Sequence, residues 1–152
     1  MVLSQIVKPQ CIIVPLSAPD KETAITQLVD VLNDSKLLLN RNDVLEAVLT
    51  REKTRSTGIG SGIAIPHGKC NAVKELVMAI GITKEDIDFA SVDGKGVKII
   101  LLLVSPASQT GPHIQALAKI SRLMLDEQFR NEIASVESAD KVYQLLSDKE
   151  SL

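Results

Sequence analysis

Apolar residues recur at helical spacing in four segments, and each recurrence predicts an amphipathic helix. The first helix is expected to start at Ser17, with Asp20 three residues on in an arrangement that resembles a capping box and with Pro19 in the first turn, and to end near Lys36. The positions that define the four stripes are Ala24, Ile25, Leu28, Val31 and Leu32; Val44, Leu45, Val48 and Leu49; Leu117, Ile120 and Met124, with Ile114 and Leu123 beside them; and Val142, Leu145 and Leu146.

The other three helices are placed by their flanking residues. The second is expected to start near Asn42 or Asp43 and to carry Arg51 near its C-terminal end. The third opens at Gly111-Pro112, because proline suits a first helical turn, and is predicted to be the longest. The last covers residues 138–147.

Strand signals alternate with these helices at residues 11–16, 76–83 and 97–104. The run at 97–104 is almost continuously apolar, which is typical of a strand covered on both faces. Residues 91–96, Ser-Val-Asp-Gly-Lys-Gly, are rich in turn formers. The interleaved order predicts an α/β fold, a single-domain sandwich over residues 1–152 with a mixed central sheet flanked by helices.

Composition narrows the function classes. The 152 residues are 45% hydrophobic and 24% charged, with a net charge of −2 and only three aromatic side chains. Neither a basic surface for nucleic acid nor a membrane-binding face is therefore expected. No signal peptide is evident in residues 1–10. Cys11 and Cys70 lie far apart, which favours a reduced, cytoplasmic setting.

The most informative segment, residues 56–69, reads Ser-Thr-Gly-Ile-Gly-Ser-Gly-Ile-Ala-Ile-Pro-His-Gly-Lys. Pro66 donates no backbone hydrogen bond, so a strand is expected to end there. Glycines before and after His67 would let a phosphate or a partner backbone approach closely. The pattern predicts an exposed, nucleophilic histidine.

Nucleotide and metal sites fit this segment poorly. Five residues separate Gly62 from Gly68 where a Walker A loop has four, and Cys70 replaces its hydroxyl. The glycines at 58, 60 and 62 also miss the dinucleotide spacing. His67, Cys70 and His113 could be three metal ligands, but no paired ligands accompany them. No cofactor and no metal are expected.

The position of His113 in the third helix makes it a candidate functional residue. It lies in the first turn, four residues before Leu117 on the inward stripe. The positive end of a helix should disfavour protonation, and a neutral imidazole there could donate one hydrogen bond to an oxyanion.

Together these residues resemble a known family. The run from Arg51-Glu52-Lys53 to Ile65-Pro66-His67-Gly68 looks like the signature of fructose, mannitol and nitrogen-type enzyme IIA domains of the phosphoenolpyruvate-dependent phosphotransferase system. The segment from Gly111-Pro112-His113 to Leu117-Ala118 resembles their second histidine motif. The resemblance covers nearly the whole chain.

The resemblance implies that His67 takes a phosphoryl group from a histidine-phosphorylated carrier, HPr or its nitrogen-branch homologue, and passes it to a cysteine of a IIB domain. Arg51 is expected to stabilise the phosphoryl oxygens, because guanidinium suits bidentate phosphate contacts, and His113 to donate a further hydrogen bond. The pocket would be shaped by Thr57, Gly58, Gly60 and Gly62. Ile63, Ala64 and Ile65 could be plain strand core, or Ile63, Ile65 and Pro66 could form a docking rim for the carrier.

The sequence leaves three hypotheses about the function open. The first is a phosphocarrier in sugar uptake, and the second is a nitrogen-branch regulator whose phosphorylation state controls other proteins. The third is a non-catalytic binding module on the same fold, against which the intact set of Arg51, His67 and His113 argues.

Overall fold

The computed structural model describes all of Met1–Leu152 and contains six helices, six strands and one 3-10 turn. Their bounds are α1 Leu3–Ile6, the 3-10 turn Pro9–Cys11, β1 Ile12–Leu16, α2 Lys21–Asp34, α3 Arg41–Thr54, β2 Gly58–Gly60, β3 Ile63–Ala64, β4 His67–Lys69, β5 Val77–Ile87, β6 Val97–Ser105, α4 Thr110–Leu123, α5 Glu127–Ser135 and α6 Ala139–Glu150.

The strands form one mixed sheet in the order β1-β5-β6-β3-β2, with β4 also paired to β6. The long pair β5–β6 is antiparallel, whereas β1–β5, β3–β6 and β4–β6 are parallel. Strands β3 and β4 pair with the same edge of β6, first opposite Ile99–Ile100 and then opposite Leu103–Ser105.

Strand β6 divides the core into two layers. Its side chains at Ile100, Leu102 and Val104 pack with α2 and α3, and those at Ile99, Leu101 and Leu103 pack with α1, α4, α5 and α6. Because successive strand residues point to opposite faces, this alternation buries both faces of the sheet. The predicted α/β sandwich with a mixed central sheet is confirmed. None of the helices has the length and apolarity needed to cross a membrane.

The predicted start of the first long helix was wrong. Helix α2 begins at Lys21, and the Asp20 side chain caps it by accepting a hydrogen bond from the Thr23 amide at 2.8 Å. Pro19 restricts Ala18, the residue before it, to extended conformations, so the helix cannot start as early as Ser17. The Ser17 carbonyl instead accepts a hydrogen bond from the Gln27 side chain.

Other differences concern short elements and one apolar position. Helices α1 and α5 were not predicted, although Asp126 caps α5 and its Phe129 and Ile133 are buried at helical spacing. Helix α4 has 14 residues, as do α2 and α3, so it is not the longest. Its Ile114 is 59% exposed and does not belong to the buried stripe.

The expectation at Pro66 also needs correction. Strand β3 already ends at Ala64, and a new strand, β4, begins at His67. The backbone stays paired to β6 across this interruption, because the Pro66 carbonyl accepts a hydrogen bond from the Leu103 amide. His67 is therefore held in a sheet register.

The two ends of the chain are joined by the carboxylate of Glu150. It accepts hydrogen bonds from the amides of Leu3 and Ser4 at 2.7 and 2.8 Å and lies 3.1 Å from the Lys119 ammonium. Burial raises the pKa of Glu150, but these amide hydrogen bonds and then Lys119 outweigh it, so the pKa is lowered. The carboxylate thereby connects α1, α6 and α4.

Replacing Glu150 with Gln should lower the free energy of unfolding by about 1–3 kcal/mol at pH 7, because buried amides lose a charged acceptor. Since the folded pKa is depressed, this contribution is complete above the usual pKa of 4.5 and is lost as the pH falls through the folded pKa. Urea unfolding at several pH values measures it. Glu137→Gln at an exposed position is the control, and equal effects from both variants would contradict the prediction.

Candidate functional site

The close packing of β4 against α3 places His67 beside the C-terminal half of that helix. A Cβ at Gly68 would lie 3.3 Å from backbone atoms of both Ala47 and Val48, so a larger side chain would push the strand away from the helix. Arg51 lies one helical turn beyond Ala47 on the same face. Gly68 thus allows the helix to bring Arg51 towards the neighbouring His67.

The His67 ring has one committed nitrogen and one free nitrogen. Nδ1 lies 2.7 Å from the Ile65 carbonyl oxygen, which can only accept, so Nδ1 carries the proton. Nε2 has no protein partner and keeps its lone pair. Burial lowers the pKa of His67, and the hydrogen bond to Ile65 raises it. The charge of Arg51 lowers the pKa and that of Glu52 raises it. The net effect is a pKa below the usual value. At neutral pH the half-buried ring is therefore neutral.

His113 lies next to His67, with ring centroids 5.5 Å apart and planes tilted by 58°. It is the fourth residue of α4, and its ring is buried against β6, where Nδ1 lies 2.5 Å from the Ser105 hydroxyl. Burial, followed by His67 and Lys69, lowers the pKa of His113 to about 4. The neutral state was expected from the helix N-terminus, whereas desolvation is its main cause.

Arg51 both caps its helix and faces the site. One guanidinium nitrogen, Nη1, donates to the carbonyl oxygen of Arg55 at 2.8 Å, which satisfies an acceptor just past the end of α3. Its other N–H groups have no protein partner, and its charge lowers the pKa of His67. The structure thus brings Arg51, His67 and His113 together.

Glu52 has a positioning role that the sequence analysis did not assign. Its buried carboxylate accepts hydrogen bonds from the Thr57 hydroxyl at 2.5 Å and the Thr57 amide at 2.9 Å, and it pairs with Lys21 at 3.3 Å. Both donors of Thr57 are therefore engaged inside the protein. Thr57 fixes the loop after α3 and does not offer its hydroxyl to a phosphoryl group.

The glycines assigned to a phosphate pocket lie elsewhere. Gly60 and Gly62 have φ angles of +94° and +80° and form the tight turn between β2 and β3. The Gly62 carbonyl bonds to the start of β6, whereas His67 pairs four residues further along with Leu103. At about 3.3 Å per residue this is roughly 13 Å. Gly58 packs against Ser91. These glycines shape the hairpin and do not line the site.

The assigned docking rim also needs correction. Ile63 and Ile65 are 1% and 4% exposed and belong to the core layer beneath α4 and α6. Pro66 is buried as well. These side chains cannot contact a partner, because strand β3 and the residues after it run inside the sheet. Exposed apolar side chains include Ile59 and Ile114, and Ile114 directly follows His113.

Lys69 is a second cation near the site that the sequence analysis did not single out. It lies two residues after His67 on the same strand face, and its ammonium contacts the Thr110 hydroxyl at 3.4 Å. The period of two in His67-Gly68-Lys69 could have indicated it. Cys70, considered as a metal ligand, instead accepts from the Ala72 amide at 3.4 Å. His67, Cys70 and His113 do not form a cluster that could hold a metal ion.

Comparison with known proteins identifies the family. Residues 5–149 match the family described as "Phosphoenolpyruvate-dependent sugar phosphotransferase system, EIIA 2". The chain belongs to this family. It is 31% identical to the PTS system fructose-specific EIIABC component of Bacillus subtilis, over 97% of this chain and 23% of that protein. The chain therefore spans about a quarter of that relative's length.

Two further matches cover most of both chains. The PTS system fructose-specific EIIA component of Haloferax volcanii is 35% identical over 84% of this chain and 83% of that one. The crystal structure of the nitrogen regulatory protein IIA-Ntr from Neisseria meningitidis superposes with a TM-score of 0.88 at 31% identity, covering 95% of this chain and 98% of that one. Both a fructose-type and a nitrogen-type protein are thus similar to this chain.

The two histidines should titrate below the usual pKa of 6.5, His113 at about 4, because burial disfavours both imidazolium ions. The unfolded chain then binds more protons between pH 6.5 and 4, so stability should fall as the pH falls through this range. NMR titration of the ring C–H signals, assigned with His113→Gln, measures both values. A midpoint for His113 at or above 6.5 would contradict the prediction.

Proposed function

We propose that His67 is the phosphoryl acceptor of a phosphotransferase-system IIA protein. It would take the group from a histidine-phosphorylated carrier, HPr or its nitrogen-branch homologue, and pass it on. The observation that carries the proposal is the hydrogen bond from Nδ1 of His67 to the Ile65 carbonyl, which leaves Nε2 as the free nucleophile. Family membership supports the same reaction class.

In the proposed step the Nε2 lone pair forms the new bond to phosphorus while the bond from phosphorus to the donor's nitrogen breaks. The leaving imidazole keeps that electron pair. His67 gains positive charge as its lone pair is used, and Nδ1–H then donates more strongly to the Ile65 carbonyl. No base is needed, since the neutral ring has no proton to lose at Nε2.

The charge on the transferring phosphoryl oxygens needs neighbouring donors, and phosphoryl transfer depends mainly on such positioning and electrostatics. Arg51 supplies a fixed positive charge with free N–H groups, and His113 supplies a neutral donor beside the His67 ring. Because His113 has a pKa of about 4, it can donate a hydrogen bond without transferring a proton. A donor that does not release its proton suits a phosphohistidine, because the phosphorus–nitrogen bond is labile in acid.

The similarities support two outputs for the phosphorylated protein. One is transfer to the cysteine of a IIB domain in sugar uptake, in line with the fructose-specific relatives. The other is regulation of partner proteins, in line with the nitrogen regulatory protein of closely similar fold. Incubating the phosphorylated protein with a purified fructose-type IIB domain separates them, because only the first output predicts loss of the group to IIB.

The acceptor role predicts that phosphoenolpyruvate, enzyme I and a carrier protein add one phosphoryl group to the wild-type chain and none to His67→Ala. Intact mass spectrometry measures the addition, which should be labile in acid and stable in base. His113→Gln, which keeps His67, is the matched control and should still accept the group. Full phosphorylation of His67→Ala would contradict the proposal.

Arg51→Ala should slow phosphorylation of His67 by about 10²–10³-fold, because one charged donor to the phosphoryl group is lost. Rapid-quench kinetics under single-turnover conditions measure the rate. Arg55→Ala is the matched control, since it removes a nearby positive charge yet retains the backbone carbonyl that Arg51 contacts. Equal slowing by the two variants would mean that the general positive field acts, and not Arg51 itself.

A further inference from the structure

Ser105 is a buried hydroxyl with a single partner. Its residue is 0% exposed at the end of β6, and its Oγ lies 2.5 Å from Nδ1 of His113. No other side-chain or backbone atom bonds to this hydroxyl. A polar side chain enclosed in the central strand, among the leucines of a sheet, is costly unless it is paired. The pairing therefore decides how both groups arrange their protons.

A neutral His113 has two tautomers, and they treat the Ser105 hydroxyl differently. If the proton is on Nδ1, the ring donates to Ser105 Oγ, and the hydroxyl hydrogen has no acceptor in its buried position. If the proton is on Nε2, the hydroxyl donates to Nδ1 and every buried donor is satisfied. An unsatisfied buried donor is strongly unfavourable, so the second arrangement prevails.

We propose that Ser105 is a positioning residue that fixes His113 in the Nε2–H tautomer and so makes it the hydrogen-bond donor of the site. The Nε2 atom has no protein partner and is not sealed from solvent. The ring that carries it lies beside His67, with centroids 5.5 Å apart. The other tautomer would present a lone pair to the phosphoryl oxygens and repel them.

The surroundings of His113 keep this arrangement neutral. No carboxylate contacts the ring, and the charged or titratable groups that affect it, His67 and Lys69, both disfavour the imidazolium. A protonated ring would also have to donate from Nδ1, which would displace the Ser105 hydroxyl hydrogen. Ser105 thus sets which nitrogen of the neutral ring carries the proton, while burial disfavours addition of a second proton.

The first test observes the tautomer directly and does not depend on phosphoryl transfer. Long-range ¹H–¹⁵N NMR of the unphosphorylated wild-type protein at pH 7 distinguishes a protonated from a bare ring nitrogen. We expect His113 with Nε2 protonated and Nδ1 bare. A proton on Nδ1 would overturn the proposal, even if the protein accepts a phosphoryl group normally.

The second test is kinetic and rests on the proposed function. Ser105→Ala should slow single-turnover phosphorylation of His67 by about twofold, because the two neutral tautomers are close in energy and only the fraction of molecules with the Nε2–H tautomer is competent. Its NMR spectrum should show both tautomers. Ser105→Thr, which keeps a hydroxyl, should restore the Nε2–H tautomer and most of the rate.

A double variant separates positioning from general damage. In a His113→Gln background, Ser105→Ala should cause no further slowing, because the hydroxyl acts only through the ring. An equal loss in both backgrounds would overturn the proposal by showing a structural effect. Failure of the wild-type protein to accept a phosphoryl group would overturn the proposed function, and the tautomer would then have no catalytic meaning.

Discussion

The pairing of β4 with β6 is the constraint on which the site depends. It sets His67 opposite Leu103 and Lys69 opposite Ser105. Strand β6, which carries Leu103 and Ser105, is buried on both faces. Helix α4 starts five residues after β6, and the bond from Ser105 to His113 ties its first turn back to the same strand. Both histidines are thus positioned by one rigid element, and their separation is set before any partner binds.

Burial lowers the pKa of both rings, and a hydrogen bond opposes it only at His67. For His67, the Ile65 carbonyl and Glu52 favour the charged form, yet desolvation and Arg51 keep the ring neutral. For His113, no opposing group exists and the pKa falls to about 4. The difference suits different tasks. In the proposed transfer, the Ile65 carbonyl would stabilise the positive charge that His67 gains, whereas His113 has a hydroxyl that resists a second proton.

The sequence predicted the main elements because their apolar periodicity is strong. The run at 97–104 was recognised as doubly buried, and the structure extends it only to Ser105. Helix starts are harder to predict, because Ser17 and Asp20 are both good capping residues and it is the restriction of Ala18 by Pro19 that selects Asp20. Motif resemblance predicts Arg51, His67 and His113 as site residues, and the structure places them near one another. The contacts of Ser105 with His113 and of Glu52 with Thr57 are not predicted, since contacts between separate elements leave no local pattern.

The glycine-rich run shows why a motif can indicate a function without its residues performing it. Gly60 and Gly62 provide the turn conformation, Gly68 permits contact with α3, and Thr57 is engaged by Glu52. Each holds the backbone that presents His67. Because the phosphoryl group would arrive already activated on a carrier, the site needs few donors in fixed positions. Most of the motif therefore serves rigidity, and the tautomer of the one neutral donor is set by Ser105, outside the motif.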